Sequence, residues 1–238
     1  MASADLISVS AAARELGVNA ARVRAMLAAG RLDGRKVGGR WLVHSASVRR
    51  RRRERRGRGR SLTPANAWAV LFLASGENNP QISGSARSRL RRLLELRGGV
   101  EGLLDRFDQR ASERSLVAHP GILRHLSSDR RIVLTGISAA GEYELGLSAS
   151  DEVDAYVPAE SVVDVMTTFA LEEPRVGTAG NVRLRVVPEG IWPFRKHVAP
   201  LAVVALDLAQ ELDVRSSRIG LATLRRLDQE HRWRAASS

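Results

Sequence analysis

The sequence predicts an α+β protein: a small N-terminal module of helices and a hairpin, a basic linker, and a C-terminal mixed α/β domain with a small sheet and flanking helices. Three observations carry this reading. Two short capped helical patterns and a Gly-Gly hairpin fill the first 48 residues. The run "SVRRRRRERRGRGRS" follows at once, with nine arginines and one glutamate in fifteen residues. Beyond residue 131, apolar residues change from helical spacing to strand-like alternation. The implied parts are residues 1–48, 49–61 and 62–238.

Within the first part, "ISVSAAARELGVNAARVRAMLAAGRL" reads as two short helices around a tight turn. Ser8 is placed to cap the first, whose inner face is Ala11, Ala12 and Leu16. Gly17 ends it with a residue comfortable at positive φ. Asn19 caps the second helix, where Val23, Met26 and Leu27 form a buried stripe at i, i+3, i+4. Arg22 and Arg24 fall outside that stripe, and Gly30 closes the helix. Next, "RLDGRKVGGRWLV" places extended pieces on either side of Gly38-Gly39, a dipeptide suited to a two-residue hairpin. Leu32, Val37, Trp41 and Val43 are its apolar positions. Arg31 stands at its start, and Arg35, Lys36 and Arg40 crowd its turn.

A helix-turn-helix followed by a basic hairpin is a winged helix, whose second helix enters the major groove while the wing reaches phosphates or the minor groove. The candidate DNA contacts are therefore Asn19, Arg22, Arg24, Arg31, Arg35, Lys36 and Arg40. The stretch "SVSAAARELGVNAARVRAMLAAGRLDGRKVGGRWLV" resembles the compact winged helix shared by excisionases and MerR-type regulators, including the hairpin's Gly-Gly-Arg-Trp ending. That resemblance implies binding to double-stranded DNA. A competing reading, an Ala-rich helical hairpin packed on the body, leaves the hairpin's charge unexplained.

The arginine run follows the wing directly, so Arg49, Arg50, Arg51, Arg52, Arg53, Arg58 and Arg60 join the candidate DNA contacts. Closely spaced like charges disfavour a compact structure of their own. "RRGRGR" resembles a minor-groove hook, although it lacks the proline that the AT-hook core carries after Gly-Arg. A solvated linker, or the charged face of a helix continuing from Ser47, are the other readings. Residues 1–60 hold 16 Lys+Arg and 4 Asp+Glu, whereas residues 61–238 hold 22 of each. The whole net charge of +12 thus lies in the first quarter, as for a polyanion-binding head on a neutral body. Lys36 and Lys196 are the only lysines, so the arginine preference also has a compositional side.

In the body, Thr63 and Pro64 mark the start of a helix with Ala67, Val70, Leu71 and Ala74 inward and Gly76 behind it. "SARSRLRRLLELRGG" reads as a second helix on Leu90, Leu93 and Leu94, and "EGLLDRFDQR" as a third. These helices are expected to space the head from the rest or to serve a homodimer contact. "RIVLTG", "DEVDAYV" and "NVRLRVVP" read as strands, the last alternating at Val182, Leu184 and Val186. Helices are expected over 159–171, in "HVAPLAVVALDLAQEL" and in "SSRIGLATLRRLDQEH". Asp207 breaks the apolar run of the second of these, so it is exposed, functional or paired, with Arg215 and Arg218 as the nearby partners.

"LTPANAWAVL", "HPGIL" with "RIVLTGISAA", and "NVRLRVVP" with "VAPLAVVALDLAQELDVRSSRIGLATLRRL" resemble the body of actinobacterial helix-turn-helix proteins related to AbiEi-type antitoxins. The motifs are hydrophobic and diffuse, and the head is excisionase-like rather than the longer winged helix that many such antitoxins carry. The resemblance implies a transcriptional repressor that counteracts a cognate toxin protein of nucleotidyltransferase type.

An enzyme reading competes. Nucleotidyltransferases place a Gly-Ser step before an acidic pair that holds Mg²⁺. Here Ile137 separates Gly136 from Ser138, and Glu152 with Asp154 supplies two carboxylates on one expected strand face. With no third carboxylate in view, the pair reads equally as a charged strand edge. No metal spacing joins His44, His119, His125, His197 and His231, and no P-loop, dinucleotide fingerprint or Gly-x-Ser-x-Gly occurs. No catalytic residue, metal or cofactor is expected. Cysteine is absent, which excludes disulfides and thiolate metal sites. "WAVLFLA" and "VAPLAVVAL" fall well short of the roughly 18 residues of a membrane span. The first nine residues carry Asp5 and no apolar core of a signal peptide. A cytoplasmic protein without a membrane partner is expected.

Overall fold

Two units divide the chain, Met1–Arg60 and Ser61–Ser238, each with its own core. A computed structural model describes residues 6–30, 32–44, 47–48, 51, 61–77, 82–149, 151–174, 180–211 and 213–230. In the first unit, β1 (Leu6–Ser8) leads into α1 (Val9–Leu16) and α2 (Ala20–Ala28), followed by β2 (Gly34–Val37) and β3 (Arg40–His44). The caps are those the sequence implies. Ser8 Oγ accepts from Ala11 N at 3.1 Å, Gly17 sits at φ +61°, and Asn19 Oδ1 accepts from Arg22 N at 2.8 Å. Ala12, Leu16, Val23, Met26, Leu27, Leu32 and Val43 close the core.

Gly38 and Gly39 both have positive φ, the requirement of a tight hairpin turn whose twist matches its strands. The sheet order is β1-β3-β2, all antiparallel. β1 is too short to announce itself by pattern. Val37 is not a core position: it is 48% exposed. Gly34 and Val43 pair on the face that meets α2, and alternation turns Val37 to the other face. Gly34 itself permits the close packing, since a Cβ there would lie 2.7 Å from Leu27 Cδ2. After β3, Ser47 Oγ accepts from Asp33 N at 2.8 Å, and Ser47 and Val48 are buried. Ser47, Val48 and Arg51 are helical, so the described part of the arginine run follows the reading of a helix continuing from Ser47.

The second unit begins with α3 (Pro64–Ala74) and α4 (Gly84–Arg97), then a 3₁₀ turn at Glu101–Arg106 where a third helix was expected. There follow β4 (Ser112–Leu116), α5 (Leu123–Ser127), β5 (Val133–Leu134), α6 (Gly136–Ala139), β6 (Val153–Pro158), α7 (Val162–Thr168), β7 (Val182–Val187), α8 (Leu201–Ala209) and α9 (Val214–Glu230). Strand order is β4-β7-β6-β5, with β6 and β7 parallel and the two outer strands antiparallel. Helices cover both faces. On one side Val153, Ala155, Val157, Val182 and Leu184 meet Leu123 and Leu126 of α5 and Val165 of α7. On the other, Tyr156 and Val187 meet α3, α8 and α9.

The first helices of the body are no spacer. α3 lies in the core and is buried all round from Ala67 to Ala74, not along one stripe. Trp68 packs edge-on against both Tyr156 and Phe194, with ring centroids 5.0 Å away in each case. Ser75 bonds the amide of Ala202 through its Oγ at 3.0 Å, so it supplies the cap that Pro200 cannot give α8. The strand in "RIVLTG" shrinks to Val133–Leu134, because Gly136 turns the chain into α6. The helix expected over 159–171 is a 3₁₀ turn at Ala159–Ser161 followed by α7. Among the described residues, no helix is long and apolar enough to cross a membrane.

Candidate nucleic-acid interface and a buried charge network

The cap at Asn19 sets the rotation of α2. With Val23, Met26 and Leu27 turned into the core, Arg22 and Arg24 are left on the exposed face. Arg35, Lys36 and Arg40 are exposed along the hairpin, in register Arg35↔Leu42, Lys36↔Trp41 and Val37↔Arg40. Lys36 Nζ stands 5.5 Å from the centroid of the Trp41 ring, a cation–π contact that holds its stem while leaving its charge outward. Among the described residues, Arg22, Arg24, Arg35 and Arg40 form no ion pair. Asn19 spends its side-chain oxygen on the Arg22 amide, which leaves its amide nitrogen as the donor on that side chain. Of the other predicted contacts, Arg51 is helical, and Arg31, Arg49, Arg50, Arg52, Arg53, Arg58 and Arg60 lie outside the described residues.

The body offers a different arrangement of charge. On the sheet face toward α8, Arg183 and Arg185 of β7 lie beside Asp154 and Tyr156 of β6. Asp207, on a helix otherwise apolar, is fully buried above them. Its Oδ1 accepts from Arg110 Nη2 at 2.5 Å and from the Tyr156 hydroxyl at 3.0 Å, and its Oδ2 from Thr135 Oγ1 at 2.5 Å. Arg185 grips Asp154 bidentately, with both contacts at 2.9 Å, and reaches Asp207 at 3.5 Å. Glu211 accepts from Arg183 and Arg185. Arg110 also donates to Gln210 Oε1 at 2.8 Å and to Tyr156.

The partners predicted for Asp207 were wrong. Arg110 and Arg185 pair with it, while Arg215 donates to the Gly146 carbonyl. Arg215 belongs to α9, the next helix along the chain, whereas Asp207 faces the sheet and meets arginines from distant sequence. Asp154 is not on a charged edge either, because β6 is a central strand. Nor do Glu152 and Asp154 share a site. The strand starts at Val153, so Glu152 is exposed while Asp154 is 3% exposed. Gly136 and Ser138 do meet Asp154: the Asp154 amide donates to Ser138 Oγ at 2.8 Å, and a Cβ on Gly136 would overlap the carboxylate.

Electrostatics lock the network. Burial pushes the Asp207 carboxyl up, but Arg185 and Arg110 outweigh it and hold the group below its ordinary value. Burial likewise opposes the charge on Arg185, and Asp154 and Asp207 overcome it, leaving that guanidinium more firmly protonated than usual. Burial raises the Tyr156 phenol, which keeps it neutral and able to donate to Asp207. Glu211 is pushed up by burial, against the pull of Arg183. Such a site holds charges of opposite sign, each paired with its neighbours. Among the described residues no three His, Asp or Glu side chains are grouped to hold a metal ion.

One signal for the network was available. In "NVRLRVVP" the alternation that buries Val182 and Leu184 puts Arg183 and Arg185 together on the opposite face. A strand covered on both sides then requires buried carboxylates for them, and Asp154 and Asp207 are those carboxylates. Arg110 carries no such mark, since it lies between a 3₁₀ turn and a polar edge strand. Comparison of the chain with protein-family models, with curated proteins and with solved structures returns no match.

Proposed function

We propose that the chain is a DNA-binding transcriptional regulator, the antitoxin of a toxin–antitoxin pair that represses its own operon and counteracts a nucleotidyltransferase-like toxin in the cytoplasm. The observation that carries this reading is the set of exposed guanidinium groups of Arg22 and Arg24 on α2 and of Arg35 and Arg40 on the hairpin, none of them in an ion pair among the described residues. Two capped helices followed by a basic hairpin fit a winged helix, whose second helix lies in the major groove. Arginine there bonds guanine bidentately, and the hairpin cations meet phosphates. The first-quarter charge excess supplies the electrostatic attraction.

The body serves as the protein-recognition part in this reading. Its buried charges are already paired with one another, and the carboxylate a transferase would use, Asp154, is occupied by Arg185. An excisionase-like architectural role finds less support, because the body builds two apolar clusters of its own. The test is a titration of the full chain against duplex DNA selected from a random pool and against unselected duplex. We expect Arg22→Ala to lose about 1–3 kcal/mol of preference for the selected site. An Arg22→Ala protein with full preference would remove α2 as the reading element.

A further inference from the structure

The body is neutral as a whole, with 22 basic and 22 acidic residues in 61–238, but its charge is not evenly spread. α4 alone carries Arg87, Arg89, Arg91, Arg92 and Arg97 against one acidic residue, Glu95. Its apolar residues Leu90 and Leu94 are buried in the core, which fixes the opposite side outward. Ser85, Arg89, Arg92 and Leu96 recur there at spacings of 4, 3 and 4, so they share one exposed face. Arg89, Arg92 and Arg97 are exposed, and none has an ion pair among the described residues. Elsewhere in the body Arg110, Arg114, Arg131, Arg183, Arg185 and Arg225 each hold a carboxylate. Arg124, Arg130, Arg195 and Arg218 are exposed without an ion pair among the described residues but lie scattered along the chain, whereas α4 gathers three such arginines on one helix.

Position in the helix accounts for Arg97, which lies in the last turn and complements the negative end of the helix dipole. It does not account for Arg89 and Arg92, which are neighbours at i, i+3 and repel each other. An anionic surface brought to this face would relieve that repulsion. A bilayer is a poor match, because the helix has committed Leu90 and Leu94 to the core and exposes only Leu96 as a large apolar side chain. Phosphates regularly spaced along a nucleic acid need no apolar face.

We propose that α4 is a second phosphate-contacting surface for duplex DNA, carried by the body and built on Arg89 and Arg92. It rests on the DNA-binding reading and extends it from the first unit to the second. The contacts carry charge and no base information, so they raise affinity for every sequence alike.

The test compares the full chain, an Arg89→Gln/Arg92→Gln variant, the matching double lysine variant and an Arg22→Ala/Arg24→Ala variant. Each is titrated with unselected duplex DNA over a range of salt concentrations, with circular dichroism and melting curves as the check on folding. Each lost phosphate contact removes about 0.9 from the log–log salt slope. The glutamine variant should therefore flatten the slope by roughly 2 while keeping its preference for the selected site, and the lysine variant should keep the slope. An unchanged slope with glutamine, beside a flattened slope for Arg22→Ala/Arg24→Ala, overturns the α4 surface and leaves the DNA-binding reading standing. Wild-type protein that binds no duplex overturns both. Binding to anionic phospholipid vesicles but not to DNA, lost in the glutamine variant, would reassign the helix to a membrane surface. Should the glutamine variant fail to fold, Arg92→Gln alone must flatten the slope by about one contact.

Discussion

Asp207 has no exposed surface, and both of its oxygens are engaged, by Arg110 and Tyr156 on one side and Thr135 on the other. Removing its charge strands Arg110 and leaves Arg185 with fewer counter-charges, and breaking a buried pair in this way costs about 3–5 kcal/mol. Asp207→Asn should lower the stability of the body by that amount at neutral pH in urea unfolding; a loss under about 1 kcal/mol would show that the network contributes little. The pH dependence follows from the depressed carboxyl. Its stabilisation is present above the unfolded-state value of 3.8 and is lost as pH falls through the lower folded value. The gap between wild type and Asp207→Asn should therefore close in strong acid. Asp154 is buried and gripped by Arg185 through both oxygens, so Asp154→Ala perturbs folding and is a poor probe for catalysis. Exposed Glu152 is the cleaner one.

Close backbone approach decides the packing of α8 on α9. A Cβ on Gly220 would lie 2.3 Å from Ala209 N and 2.5 Å from Ala205 O, so only glycine lets the two helices meet there. Gly220→Ala must push α9 off α8, and overpacking of this kind costs on the order of 1–3 kcal/mol. Urea unfolding measures it, and an unchanged midpoint would mean that the helices part without loss. At this scale the sequence was legible wherever a local rule governs. Caps at Ser8, Asn19 and Thr63 and the Gly38-Gly39 turn each act within three or four residues, and all are found. It was not legible where partners come from far along the chain. β4 reads "SERSL", with one apolar residue, and is a strand because β7 supplies its ladder bonds. The burial of α3 on every side likewise depends on helices more than a hundred residues away. The exposed arginines of the candidate interface were readable because exposure follows from helix phase. The charge network was legible only in part: the alternation of β7 marks Arg183 and Arg185, but their partners come from β6, α8 and the turn before β4.

Charge and core are divided at the scale of the molecule. The first 60 residues hold the entire charge excess, and their core, built on residues such as Leu16 and Val43, shares no residue with the clusters of the body. Separate cores imply that a cavity in one unit weakens that unit alone. Leu16 is buried in the first core and Leu71 is fully buried in the second, so Leu16→Ala and Leu71→Ala form a matched pair. Each should cost about 2–5 kcal/mol, but in different transitions of a urea melt. Trp41 reports on the first unit, while Trp68 and Trp192 lie in the second, so variants that keep only the tryptophans of one unit follow the two transitions separately. Leu16→Ala should lower the first unit's transition with the body's unmoved. Leu71→Ala should lower the body's transition and leave the first unit's in place. If both variants shift both transitions together, the units unfold as one, and the division of the molecule into two separately stable units loses its energetic basis.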